Sequence, residues 1–114
     1  MKAEAIEPVT EAAFTRQVLA LAKLHGWRTA HFRPGRTKDG GWRTAVQGDG
    51  KGFLDLLALR GSDKFVAELK VGKNDLTLEQ WAWIKAWEAA GVPWFMWRPE
   101  DWAEIERVLE KGTR

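Results

Sequence analysis

The sequence predicts a mixed α/β domain, a central mixed sheet flanked by helices in the order α-β-β-β-α-β-α. Three observations carry this. Helical periodicity with capping residues marks segments that begin near residues 10, 77 and 99. Between them lie short runs rich in Val, Leu, Phe and Trp, bounded by glycine-containing turns. The chain of 114 residues, 45% hydrophobic and 30% charged, suits a single globular domain and leaves little room for a second.

The elements follow in order. Residues 1–9 read as a short leader. Thr10 is an N-cap, and Glu11 stands in the first turn, where a carboxylate suits the helix dipole. Phe14, Val18, Leu21, Ala22 and His25 keep helical spacing, and Gly26 can close the helix in the left-handed conformation. Residues 27–33 (WRTAHFR) predict a strand, 34–41 a turn region, and the alternation at 42–47 an extension of the sheet. Two strands near 53–60 and 64–71 flank a turn at Gly61-Ser62-Asp63. After a loop at 72–75, Thr77 and Gln80 form a capping box for a helix running to about Ala90, stopped by Gly91. Gln80 thus has a complete structural explanation. Pro93 opens a strand over 93–97, and Pro99 fits the first turn of a last helix, with Trp102, Ile105, Val108 and Leu109 inward. There is no internal repeat.

Composition excludes several classes. The absence of cysteine rules out disulfides and thiolate metal sites and suits a reducing cytoplasm. No apolar run reaches membrane-spanning length, and the first ten residues lack the apolar core of a signal peptide, so no membrane partner and a cytoplasmic location are expected. The formal charge is only +2, but residues 23–51 carry seven basic and two acidic side chains, leaving the rest of the chain net acidic. That basic segment is either a solvated loop or the footprint of a polyanion. Its 34–52 part is long for a silent connection and carries Arg36, Lys38, Trp42, Arg43 and Lys51, with Arg33 just before it. Eight tryptophans would quickly fill a small core, so some of these rings are expected at a surface that meets something else; Trp81, Trp83 and Trp87 wrap the second helix well beyond one stripe.

The charges that resist a structural account lie between residues 55 and 80. Asp55 opens an apolar run, and Glu68 and Lys70 interrupt another (FVAELKV). A charge inside such a strand is expensive unless paired, metal-bound or at the strand end. Residues 68 and 70 leave the same face, and an antiparallel hairpin through Gly61 would bring Asp55 to them. Two carboxylates and an ammonium on one strand-end surface can hold a divalent metal and an attacking water. Glu11 lies at the polar end of the first helix's inward stripe; it is either a helix-start residue that faces in or a group aimed at a site beneath the helix. His31 reads as structural or phosphate-contacting rather than catalytic, and His25 as a helix end.

Asp55 with Glu-x-Lys thirteen residues on resembles the PD-(D/E)xK nuclease superfamily, and the wider pattern is similar to the VRR-Nuc family within it. The matching positions are Thr10-Glu11, Gly26-Trp27, Gly52-Phe53-Leu54-Asp55-Leu56 and Phe65-Val66-Ala67-Glu68-Leu69-Lys70, then Leu76-Thr77-Leu78-Glu79-Gln80 and the run from Val92 to Trp97-Arg98-Pro99. They span nearly the whole chain, from Thr10 to about Leu109. Leu54 departs from the family's proline before the aspartate, and Leu78 from a frequent proline at the first helical position.

The resemblance implies a restriction-endonuclease-like PD-(D/E)xK core and a metal-dependent endodeoxyribonuclease. Asp55, Glu68 and the backbone carbonyl of Leu69 would ligate Mg²⁺ or Mn²⁺; Lys70 would orient the water nucleophile; Glu11 and Gln80 would complete the catalytic set. Arg33, Arg36, Lys38, Arg43 and Lys51 would bind DNA. Stand-alone members of bacteria and phages resemble Holliday-junction resolvases, which implies a homodimer on four-way junctions with no small-molecule cofactor. A less selective or flap- or nick-directed nuclease, or a non-catalytic nucleic-acid-binding module of the same fold, are the alternatives.

Overall fold

The computed structural model describes residues 9–32, 35–36, 42–43, 48 and 50–114. It is an α/β fold: a four-stranded mixed open sheet with helices on both faces. The first helix, α1 (Glu11–Leu24), starts where the Thr10 hydroxyl accepts the Ala13 N–H at 3.1 Å, and Gly26 ends the turn that follows it at φ 85°. Its inward residues Phe14, Val18 and Ala22 are fully buried.

The sheet is built around a hairpin. Strand β1 (Arg28–His31) runs antiparallel to β4 (Leu56–Arg60), β4 antiparallel to β5 (Asp63–Leu69), and β5 parallel to β6 (Trp94–Trp97). The spatial order is β1-β4-β5-β6. Between β4 and β5 the chain reverses over Gly61 and Ser62, with Gly61 at φ 62° as a tight hairpin requires. β5 lies between two neighbours and under helices on both sides, so Phe65 to Leu69 are all buried, Glu68 among them.

One expectation is corrected here. Residues 42–47 were expected to extend the sheet, but β2 (Gly35–Arg36) and β3 (Trp42–Arg43) pair with each other in a separate two-stranded sheet. Both edges of β4 are already taken by β1 and β5, and closing a short local hairpin costs little loop entropy. Residues 44–47 lie outside the described residues.

Alternation along β5 divides the core into two layers. Phe65, Ala67 and Leu69 face α1 and the last helix, α3 (Trp102–Lys111), which contributes Ile105, Val108 and Leu109. Val66 faces the other way, toward Leu54 and Ile84 of α2 (Leu78–Ala89). Glu68 is two residues from Val66 and therefore shares the α2 face. The last helix begins later than expected: Pro99–Asp101 form a 3₁₀ turn leading into α3. Around α2 the tryptophans divide. Trp83 and Trp87 gather on Phe53, whereas Trp81 rests edge-on against Trp94 and stays 42% exposed, with Leu78 nearby at 85%. Among the described residues, no helix is long and apolar enough to cross a membrane.

Candidate active site

The hairpin register fixes the first contact of the site. Leu56 pairs with Ala67, so one further step sets Asp55 opposite Glu68, with both side chains on the α2 face. The two residues are cross-linked through the backbone. The Asp55 N–H donates to Glu68 Oε1 at 3.2 Å, and the Leu69 N–H donates to Asp55 Oδ2 at 3.2 Å. From the other side, the Phe32 N–H donates to the Asp55 carbonyl at 2.7 Å, so Asp55 is held between the ends of β1 and β5.

Lys70 and Gln80 meet at one oxygen. Lys70 leaves the same face as Glu68, and its Nζ lies 3.7 Å from Glu68 Oε2, both side chains largely buried. Its backbone N–H is anchored on the Trp97 carbonyl at 2.9 Å. Gln80 Nε2 donates to the same Oε2 at 2.8 Å. The capping box decides how that amide points: Gln80 Oε1 accepts the Thr77 N–H at 2.9 Å, while the Gln80 N–H donates to Thr77 Oγ1 at 3.1 Å. With the carbonyl oxygen occupied by a donor, only the NH₂ can face the carboxylate.

The electrostatics leave the site short of positive charge. Burial, then the Glu68 charge, pushes the Asp55 carboxyl up to about 7, against the Leu69 N–H that favours its ionised form; Glu11 adds to the rise and Lys70 opposes it. Burial also raises Glu68, while Lys70, the Asp55 N–H and the Gln80 amide pull it back. Glu11, exposed in the first turn of α1, raises both acids through its charge. A further cation beside Lys70 would favour ionisation of both carboxylates at once.

The donor chemistry fits a hard divalent ion in part. Asp55 and Glu68 offer facing carboxylate oxygens of the kind Mg²⁺ and Mn²⁺ take. Among the described residues, no three His, Cys, Asp or Glu side chains converge closely enough to hold a metal. Asp55 and Glu68 are therefore the side-chain donors the site could offer such an ion, and Glu11 raises both acids through its charge.

The remaining candidates are less gathered. Lys51 is exposed and 3.7 Å from Glu79. Arg36 and Arg43 sit in the β2–β3 pair, while Arg33 and Lys38 lie outside the described residues. His31 pairs with Leu56, whose side chain enters the α1–α3 core, so His31 stands on the face away from Asp55. Sequence reasoning missed the contact that brings Asp55 to α2. Gly52, at φ 84°, lies so close to the first turn of α2 that a Cβ there would come within 2.4 Å of the Glu79 carbonyl carbon. The glycine was visible in the sequence; its partner on a helix 27 positions later was not.

Compared with models of known protein families, with curated proteins and with solved structures, the chain matches none.

Proposed function

We propose that this chain is a metal-dependent DNA endonuclease of VRR-Nuc type, with a PD-(D/E)xK core, that hydrolyses phosphodiester bonds in branched DNA. One observation carries the reading: Asp55, Glu68, Lys70 and Gln80, drawn from a hairpin and a helix start, converge on one carboxylate cluster whose acids are both raised by burial, Asp55 also by the charge of Glu68. A structural ion pair would need Lys70 and Glu68 alone. The second acid adds repulsion that a folding role does not explain.

Asp55, Glu68 and the Leu69 carbonyl would hold Mg²⁺ or Mn²⁺. When bound, the ion supplies Lewis-acid polarisation of the scissile phosphoryl group and a more acidic water. Lys70 would use its ammonium to orient the attacking water and to balance charge building on phosphorus. Gln80 uses its remaining amide hydrogen for the same water or a phosphate oxygen, and Glu11 adds negative charge that favours cation binding. The P–O bond to water forms as the ester P–O bond breaks, the attacking water giving up a proton to solvent and the leaving oxygen taking one from it. Arg33, Arg36, Lys38, Arg43 and Lys51 would meet the phosphate backbone from the segment leading into Asp55. Trp81 and Leu78 on α2 provide exposed apolar surface for a homodimer, which symmetric cutting of a four-way junction needs. A cysteine-free chain of this kind suits the cytoplasm of a bacterium or a phage-infected host.

The test is a side-by-side incubation with Mn²⁺ of four-way junction, flap, nicked and linear duplex DNA. Paired cuts in the junction strands support resolvase action. Cleavage of all four substrates at equal rates replaces it with a less selective nuclease, and binding without cleavage replaces it with a non-catalytic module.

A further inference from the structure

Residues 71–76 join the end of β5 to the N-cap of α2, so they govern where Gln80 stands relative to Glu68 and Lys70. Among the described residues, no backbone–backbone hydrogen bond outside helices and strands falls on this segment. Leu76 packs beside the α2 core, but residues 72–75 are exposed. Among the described residues, Arg98 holds three polar groups of this loop. Its Nη1 donates to the Gly72 carbonyl at 2.9 Å, and its Nη2 to the Asn74 carbonyl at 2.7 Å and Asp75 Oδ1 at 3.4 Å.

Arg98 is itself firmly placed. The parallel register of Leu69 with Trp97, carried one residue on, sets it beside Lys70. Its backbone N–H donates to Asp101 Oδ2 at 2.8 Å in the 3₁₀ turn. Its side chain is only 19% exposed. A guanidinium presents several donors in a rigid plane and can hold two carbonyls at once; a lysine ammonium is a single point at the end of a flexible stem.

We propose that Arg98 is a positioning residue for the candidate site. By gripping the β5–α2 loop it holds the Gln80 amide against Glu68 while Lys70 approaches the same oxygen from the strand. Its effect on catalysis rests on the nuclease reading; its effect on the Gln80 amide does not. A loop with few backbone bonds opens at little cost to the rest of the fold, so loss of the grip acts on site geometry more than on global stability. Small displacements of a positioning group are costly in rate.

The experiment uses Arg98→Lys and Arg98→Ala, each alone and in a Gln80→Ala background, with single-turnover cleavage and hydrogen exchange of the Gln80 side-chain amide as readouts. Arg98→Lys is expected to lower the single-turnover rate about tenfold with the half-saturating concentration within about twofold, an effect that should shrink to about twofold or less when Gln80 is already alanine. The Gln80 amide should exchange about tenfold faster in Arg98→Lys. Equal losses in both backgrounds would overturn the proposal, because Arg98 would then act elsewhere. An unchanged amide exchange would overturn it whether or not the wild type cleaves DNA. If the wild type cleaves nothing while the amide is released as expected, the nuclease reading fails and the clamp stands. Failure of both Arg98 variants to fold would make Arg98 a fold determinant and end its positioning role.

Discussion

The Gln80 side chain donates to Glu68 Oε2 at 2.8 Å while its carbonyl oxygen accepts the Thr77 N–H at 2.9 Å, so one residue both caps α2 and touches the acid pair. The two tasks can be separated. Gln80→Glu keeps an acceptor for Thr77 but sets a third negative charge beside Glu68; it should leave the helix start intact, raise the Glu68 carboxyl and abolish cleavage. Thr77→Ala should do the reverse, costing about 1 kcal/mol by denaturant titration with a smaller loss of activity. Unaltered activity in Gln80→Glu would show that Gln80 is only a cap.

Stability should fall with pH in metal-free protein. The folded Asp55 carboxyl titrates at about 7 against 3.8 ordinarily, and Glu68 is shifted the same way. The folded state therefore holds protons that the unfolded chain has already lost. The stability these groups contribute is complete below their ordinary values and is lost as pH rises through about 7. Asp55 keeps some solvent contact, so the expected loss between about pH 5 and pH 8 is on the order of 2 kcal/mol, measured by urea unfolding with chelator present. Asp55→Asn should flatten the dependence. Adding Mn²⁺ should raise the melting temperature at about pH 8 and much less at about pH 5, where the acids hold protons that compete with it.

Gly52→Ala tests the approach of the Asp55 strand to α2. The positive φ and the 2.4 Å meeting with the Glu79 backbone both oppose a side chain there. The expected cost is about 2 kcal/mol or more, with reduced activity as Asp55 moves from Gln80. A variant as stable as wild type would show that the loop does not pack on the helix.

Leu78, at 85% exposure, and Trp81 leave apolar surface on α2. Light scattering should report a dimer, and Leu78→Glu with Trp81→Arg should give a monomer of nearly unchanged melting temperature, since neither side chain is in the buried core. A wild-type monomer would remove the symmetric-cutting model.

Most of the architecture was legible because it is locally written. Thr10 and Thr77 cap the helices they were expected to cap, and Gly61 turns the hairpin that brings Asp55 opposite Glu68. The α2 tryptophans were legible only as a surplus, because which of them pack on Phe53 depends on a loop from another part of the chain. Trp42 and Arg43 misled because alternation states that a segment can pair, not with what. Gly52 against Glu79 and Arg98 on the 72–75 loop are contacts across 27 and 23 or more positions, and no local pattern encodes them. Glu11 was expected to reach the site directly or through a metal-bound water, and its charge raises both acids from the first turn of α1.

The most direct measurement is single-turnover cleavage of a labelled four-way junction with Mn²⁺, comparing wild type, Lys70→Ala and Asp55→Asn purified in parallel. The site described here predicts cutting by wild type and a loss of about a hundredfold or more in each variant, with junction binding retained. Equal cutting by all three, or none by wild type while it binds junctions, would contradict it.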